Sequence, residues 1–102
     1  MIMHVCNISF QIIPDIRNIW LHWMKEQFIP NHMELNYFTS YQFYELEVEA
    51  EQGPTFTLQL FTDKLSKLET YQKNHASSLL DHLQATWGEQ CFHFSSFMHS
   101  VD

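Results

Sequence analysis

The order in which hydrophobic residues switch between two-residue and helical spacing restricts the fold more than any other feature of this chain. Two-residue alternation predicts a strand with two distinct faces, whereas steps of three and four predict an amphipathic helix. A Gly53-Pro54 pair separates two alternating stretches, as expected for a turn. The predicted elements are a strand at 3–12, a helix at 15–28, strands at 37–49 and 55–62, a helix at 64–86 and a strand at 90–99.

This order of elements predicts an α+β, ferredoxin-like βαββαβ domain that spans residues 1–102. Its four-stranded antiparallel sheet carries both helices on one face. The first strand shows what each face holds: one side is apolar, with Cys6, Ile8, Phe10 and Ile12, and the other has Val5, Asn7, Ser9 and Gln11. The uncovered face also carries aromatic residues, and such surfaces rarely stay in contact with water. We therefore predict a homodimer formed sheet to sheet through this face.

The helical spacing predicts which side of each helix meets the sheet. In the first helix the predicted core residues are Ile16, Ile19, Trp20, Trp23 and Gln27. In the second they are Leu65, Leu68, Gln72, His75, Leu79 and Leu83. Pro30 is predicted to end the first helix, because the residue before a proline avoids the α region. One further helical turn, at 31–35, is predicted to stop at a left-handed Asn36, and Gly88 to stop the second helix.

Charge and cysteine content exclude several classes of partner. The net charge is −7, and the five Lys and Arg residues are scattered. Binding to nucleic acid or to an anionic membrane needs clustered cations, so neither partner is predicted. No apolar run is long enough to span a membrane, and the first residues do not resemble a signal peptide. Cys6 and Cys91 form no Cys-x-x-Cys pair, which favours a cytoplasmic protein with reduced thiols.

Four short motifs resemble those of a small bacterial family without an established activity, a domain of unknown function. They are Trp20-Leu-x-Trp-Met-Lys-Glu-x-x-Ile-Pro30, Phe38-Thr-Ser-Tyr41, Glu69-x-Tyr-Gln72, and Gly88 followed by Phe92. The resemblance covers nearly the whole chain, and the first motif is its most specific part. That family is similar in fold to the dimeric α/β-barrel superfamily. The resemblance therefore implies the fold and a dimer, and it leaves the activity open.

The leading functional hypothesis is a non-catalytic dimeric module that binds a small apolar ligand between helices and sheet. The candidate ligand-binding residues are Asn7, Trp20, Trp23 and His75. Aromatic side chains commonly line such pockets, although the two tryptophans equally fit a role as core fillers. No catalytic residue, metal or cofactor is predicted. A minor alternative is a metal held by Cys91 and His93, two residues apart on one strand face, with a third ligand.

The second functional hypothesis is an enzyme. The superfamily that the chain resembles includes cofactor-independent monooxygenases and haem-degrading enzymes. The haem-degrading members have an Asn in the first strand and a His on the second helix, where this chain has Asn7 and His75. The resemblance implies His75 as an iron ligand and Asn7 as a hydrogen-bond donor to bound oxygen. The Trp that those enzymes have near the start of the second helix is missing, since Phe61, Leu65 and Ser66 stand there.

Overall fold

Strands and helices follow one another in the predicted order in the computed structural model, which describes residues 1–47 and 53–101. The strands are β1 (His4–Ile12), β2 (Ser40–Glu45), β3 (Thr55–Thr62) and β4 (Cys91–His99). They form one antiparallel sheet in the order β2-β3-β1-β4, with the helices on one face. This confirms the predicted ferredoxin-like α+β architecture. The end of the predicted strand 37–49 and most of the predicted turn at 49–54 lie outside the described residues.

The alternation along β1 determines what each face of the sheet carries. Ile8 pairs with Leu58 of β3 and Ser95 of β4, and all three lie on the face that the helices cover. Asn7 pairs with Gln59 and Ser96 on the opposite side, which we call the open face. The largest apolar side chains of the open face are Val5, Tyr44, Phe61, Phe92, Phe94 and Met98.

The first helical segment continues through Pro30, so the prediction that this proline ends the helix is wrong. The segment consists of α1 (Arg17–Trp23), a π-helical turn (Met24–Phe28) and α2 (Ile29–Glu34). In the π-helical turn the N–H of Ile29 donates to the carbonyl of Met24, five residues back. This wider turn accommodates Pro30, which lacks an N–H and would clash with a carbonyl of a regular α-helix. Asn36, with φ of 61°, stops the segment in the left-handed conformation as predicted.

The π-helical turn also changes which side chains reach the core. Five buried residues recur at four-residue steps, with Ile29 buried beside them: Ile16, Trp20, Met24, Phe28 and His32. A stripe with this spacing would drift around an α-helix of 3.6 residues per turn, and a locally wider turn keeps it facing the sheet. The predictions that Ile19 and Gln27 face the core are wrong, since both are exposed.

The second helical segment is divided at His75 into α3 (Leu65–Asn74) and α4 (Ala76–Trp87). His75 has φ of −130°, outside the helical range, and interrupts the helix at this residue. Leu68 and Leu83 are buried as predicted, whereas Leu65 and Gln72 are exposed, which corrects those two predictions. Tyr71, which is not among the predicted core residues, is buried as well. Gly88, with φ of 58°, ends α4 as predicted.

Candidate functional site

The four residues predicted to bind a ligand do not meet in one place. Trp20 is fully buried, with its ring centroid 4.9 Å from that of Phe56 and 5.4 Å from that of Phe10. It therefore lies in the core between α1 and the sheet. Trp23 is partly buried, and its ring lies 5.7 Å from that of Trp87. Neither tryptophan is among the described residues that line the cleft described below.

The other two predicted residues lie on opposite sides of the sheet. His75 is on the helix side, with its ring 5.2 Å from that of Tyr37. Asn7 lies on the open face, where its side-chain amide donates to the hydroxyl of Ser9 at 3.5 Å. The sheet separates them, so within one protomer Asn7 and His75 do not share a pocket. A role for each of the four residues in ligand binding stays a prediction.

The structure instead forms a cleft of about 440 Å³ between α3 and the ends of β1 and β4. We call it the His4–His99 cleft. Its walls are mostly apolar, and its polar groups are two imidazoles, a carboxyl and an amide. The lining residues are Ile2, His4, Leu65, Leu68, Glu69, Gln72, Phe97, Met98 and His99. An apolar cleft with a few convergent polar groups is the usual form of a small-molecule site.

The strand register brings the two histidines of this cleft together. His4 begins β1 and His99 ends β4, and they are direct partners in the antiparallel ladder. Their ring centroids are 6.4 Å apart, with the ring planes at 55°. Both side chains lie on the helix-facing side of the sheet, like those of Cys6 and Phe97. Glu69 and Gln72, one turn apart on α3, face them across the cleft.

The alternation in the sequence predicted the strand faces of some residues that line this cleft. Counting back by two from Cys6 places His4 on the apolar face of the first strand, and the last strand places Phe97 and His99 on one side. The alternation did not predict that these two strand ends meet, because pairing register is a long-range property.

Beside the cleft, a buried hydrogen-bonded network connects three elements. His32 of α2 is fully buried, and its Nδ1 lies 2.9 Å from the carbonyl oxygen of Phe28. Since that oxygen only accepts, Nδ1 carries the proton, and Nε2 accepts from the hydroxyl of Tyr71 at 3.0 Å. The Tyr71 hydroxyl also interacts with the thiol of Cys6 on β1. The helical spacing in the sequence did not predict this network, although His32 continues the four-residue spacing of buried residues that begins at Ile16.

Burial keeps every member of this network in its neutral form near pH 7. Loss of hydration lowers the pKa of His32 to about 4, against a smaller opposing effect of its bond to the Phe28 carbonyl. Burial raises the pKa of Cys6 to about 12, and the Tyr71 hydroxyl partly offsets this. Burial, together with the neighbouring Cys6, also raises the pKa of Tyr71. The network is therefore a neutral structural connection between α2, α3 and β1, with its polar groups satisfied.

Acid is expected to destabilise the protein through His32. The pKa of this residue falls from 6.5 in the unfolded chain to about 4 in the folded protein. The unfolded state therefore binds the extra proton first, so this contribution is complete above pH 6.5 and is lost as the pH falls through about 4. The full effect is about 3 kcal/mol. Urea unfolding between pH 7 and pH 4.5 measures it.

The matched variants for this measurement are His32→Gln and His22→Gln. His22 is exposed on α1, so its replacement should leave the pH dependence unchanged. His32→Gln should be less stable at pH 7 and should lose less stability than the wild type between pH 7 and pH 4.5. An equal loss in all three proteins would show that His32 does not control the acid response.

The cysteines and the remaining histidines do not assemble a metal centre of the usual kind. Among residues 1–47 and 53–101, no group of three or more His, Cys, Asp or Glu side chains is arranged to hold a metal ion. The predicted alternative, a metal held by Cys91 and His93, therefore has no third ligand of these types among the described residues. Both cysteines are free and buried. In the same part of the chain, no helix is long and apolar enough to cross a membrane.

The sheet order and the one-sided helix layer define a protein with the ferredoxin-like α+β fold. More particularly, the chain belongs to the family described as a domain of unknown function (DUF4286), which matches residues 3–101. Both findings confirm the resemblance inferred from the sequence motifs. No curated protein shows significant sequence similarity to the chain.

Solved structures of the same fold are similar to nearly the whole chain. An ethyl tert-butyl ether D (EthD) family protein of Bacillus halodurans superimposes with a TM-score of 0.63 at 10% identity, covering 97% of this chain and 98% of that one. A dimeric ferredoxin-like protein from an uncultured marine organism gives 0.64 at 8% identity, with 100% and 98% covered. A monooxygenase from the ActVA-Orf6 gene of Streptomyces coelicolor, solved with the ligand nanaomycin D, gives 0.66 at 10% identity, with 99% and 89% covered. At these identities the likeness shows the fold alone.

Proposed function

We propose that this protein is a homodimeric module that binds a small apolar molecule in the His4–His99 cleft. The observation that carries the proposal is the composition of that cleft, in which apolar walls surround a small set of polar groups. Its volume of about 440 Å³ lies within the range of small-molecule sites. The monooxygenase of the same fold that was solved with nanaomycin D supports the idea that this architecture accommodates small molecules.

The dimer is supported by the open face. Phe92 is 71% exposed and Phe94 is 68% exposed, and Val5, Phe61 and Met98 lie on the same side of the sheet. Phe92 and Phe94 form one apolar cluster and Val5, Phe61 and Met98 form another, with the polar row of Gln59, Asn7 and Ser96 between them. Exposed apolar clusters of this kind are characteristic of an interface. A twofold arrangement would cover the open face of each copy with the other. The similar protein described as dimeric and ferredoxin-like is consistent with this arrangement.

An enzyme of the monooxygenase type is the second candidate. It is favoured by the two imidazoles of the cleft, His4 and His99, because imidazole is the commonest general acid or base in enzymes. No observation favours the haem-degrading form of this hypothesis, because Asn7 and His75 lie on opposite sides of the sheet.

A cytoplasmic location also stays a proposal, supported by the two free thiols.

Binding of a neutral apolar dye, Nile red, tests the cleft. We expect one saturable site per chain, measured by the increase in dye fluorescence. Leu65→Glu introduces a carboxylate into the apolar wall and should weaken binding by at least about tenfold. Leu65 is 50% exposed, so this variant should fold normally.

The matched control is Ile19→Glu, the same kind of change at a residue that is 61% exposed on α1, away from the cleft. Its dye affinity should equal that of the wild type. Equal affinity in the Leu65 and Ile19 variants would place the dye elsewhere and reject the cleft as the ligand site.

A further inference from the structure

We propose that His4 and His99 together bind one copper ion in the His4–His99 cleft. The two residues are direct cross-strand partners on the same face of the sheet. Side chains in such positions have Cβ atoms about 5 Å apart, close enough to share one ion. Because the ligands come from β1 and β4, the strand register fixes their spacing.

The separation of the rings fits a shared ion. Two metal–nitrogen bonds of about 2 Å each, together with the distance of about 1 Å from each ring centre to its nitrogen, span about 6 Å. The observed centroid separation is 6.4 Å. The observed separation slightly exceeds this span, so the rings of His4 and His99 must move a little closer for their nitrogens to share one ion. Small side-chain rotations of His4 and His99 would bring them closer.

Three properties of the chain favour copper. Imidazole is a suitable ligand, and among divalent first-row ions copper binds nitrogen ligands most tightly. The net charge of −7 attracts cations to the surface. The two thiols are weak competitors, because both are buried, which keeps them protonated.

Two protein ligands leave coordination positions that water or a molecule in the cleft can occupy. Glu69 and Gln72 line the same cleft from α3, where their side chains would be available to hydrogen-bond a metal-bound water. The site would thus present an ion with open positions to an apolar cavity. This copper site is argued from the histidines and does not require that the apolar walls bind an organic ligand.

The test uses the full chain with its N-terminus acetylated, so that the terminal amine cannot act as a ligand beside His4. Titration with copper(II) sulfate, followed by electron paramagnetic resonance, should show one ion per chain with hyperfine coupling to two imidazole nitrogens. His4→Ala and His99→Ala should each lower the affinity by at least about tenfold. His22→Ala, at an exposed histidine on α1, should leave it unchanged.

Retention of wild-type affinity by His99→Ala or by His4→Ala would overturn the shared site, as would coupling to a single nitrogen. Nile red separates this inference from the proposed function. His99→Ala should bind the dye within about twofold of the wild type, since most of the apolar wall remains, whereas Leu65→Glu should lose the dye and keep copper. Loss of copper binding in the Ile19→Glu control would also contradict the assignment.

Discussion

Replacing Trp20 with alanine is expected to lower the free energy of unfolding by about 3–5 kcal/mol. The side chain is fully buried, and its ring contacts Phe10, Phe43 and Phe56 on three adjacent strands. Removing it leaves a large cavity between α1 and the sheet, which the surrounding rings can fill only in part. Domains of this size have about 5–15 kcal/mol of stability, so a large fraction would be lost. Urea unfolding followed by circular dichroism measures the change.

Two further variants, at Trp20 and at the neighbouring Ile19, test whether loss of the buried ring causes the destabilisation. Trp20→Phe keeps an aromatic ring at this position, so its loss of stability should be much smaller. Ile19→Ala, at an exposed position, should change stability by less than about 0.5 kcal/mol. A loss below about 1 kcal/mol in Trp20→Ala would mean that the ring does not support the core. It would also favour the prediction that Trp20 lines a ligand pocket.

The strands were predictable because their two faces differ chemically. The alternation of Cys6, Ile8, Phe10 and Ile12 with polar residues is visible without any knowledge of the partners. The same argument placed Asn7 on the opposite side from the helices, and the structure confirms this face. The haem hypothesis requires Asn7 and His75 to share a pocket. The alternation along the first strand already argued against this, because it places Asn7 on the face away from the helices.

The helices were less predictable because their periods are irregular. An α-helical template with steps of three and four predicted Ile19 and Gln27 as core residues, both of which are exposed. The strict four-residue spacing from Ile16 to His32 was present in the sequence, but it identifies a buried face only when the helix is locally widened. Pro30 then becomes the reason for the widening rather than the end of the helix.

The candidate site was the least predictable part. It depends on His4 meeting His99 across 95 positions of the chain, and on α3 lying over both. Local periodicity determines the face of each residue and carries no information on which strand ends become neighbours. The bond between His32 and Tyr71 depends in the same way on how α2 packs against α3.

Replacing Phe94 with aspartate is expected to convert the proposed homodimer into monomers. Phe94 is 68% exposed in one protomer, on the open face beside Ser9 of β1. In a sheet-to-sheet dimer its ring would be covered, and a carboxylate there would lose its water without gaining a cation. Because a twofold interface contains the substitution twice, the dissociation constant should rise by at least about 100-fold. Light scattering should change from twice the 12.3 kDa mass of one chain to that mass.

The controls separate loss of the interface from loss of the fold. Phe94→Leu keeps an apolar side chain and should remain dimeric at micromolar concentration. Ile19→Asp adds the same charge at an exposed residue of α1, on the other side of the sheet, and should also remain dimeric. Circular dichroism should show native secondary structure in all three variants, because Phe94 contributes little to the core of one protomer. A wild-type mass of 12.3 kDa, or a dimer that persists in Phe94→Asp, would show that the open face is not the interface, and the exposed Phe92 and Phe94 would then need another partner.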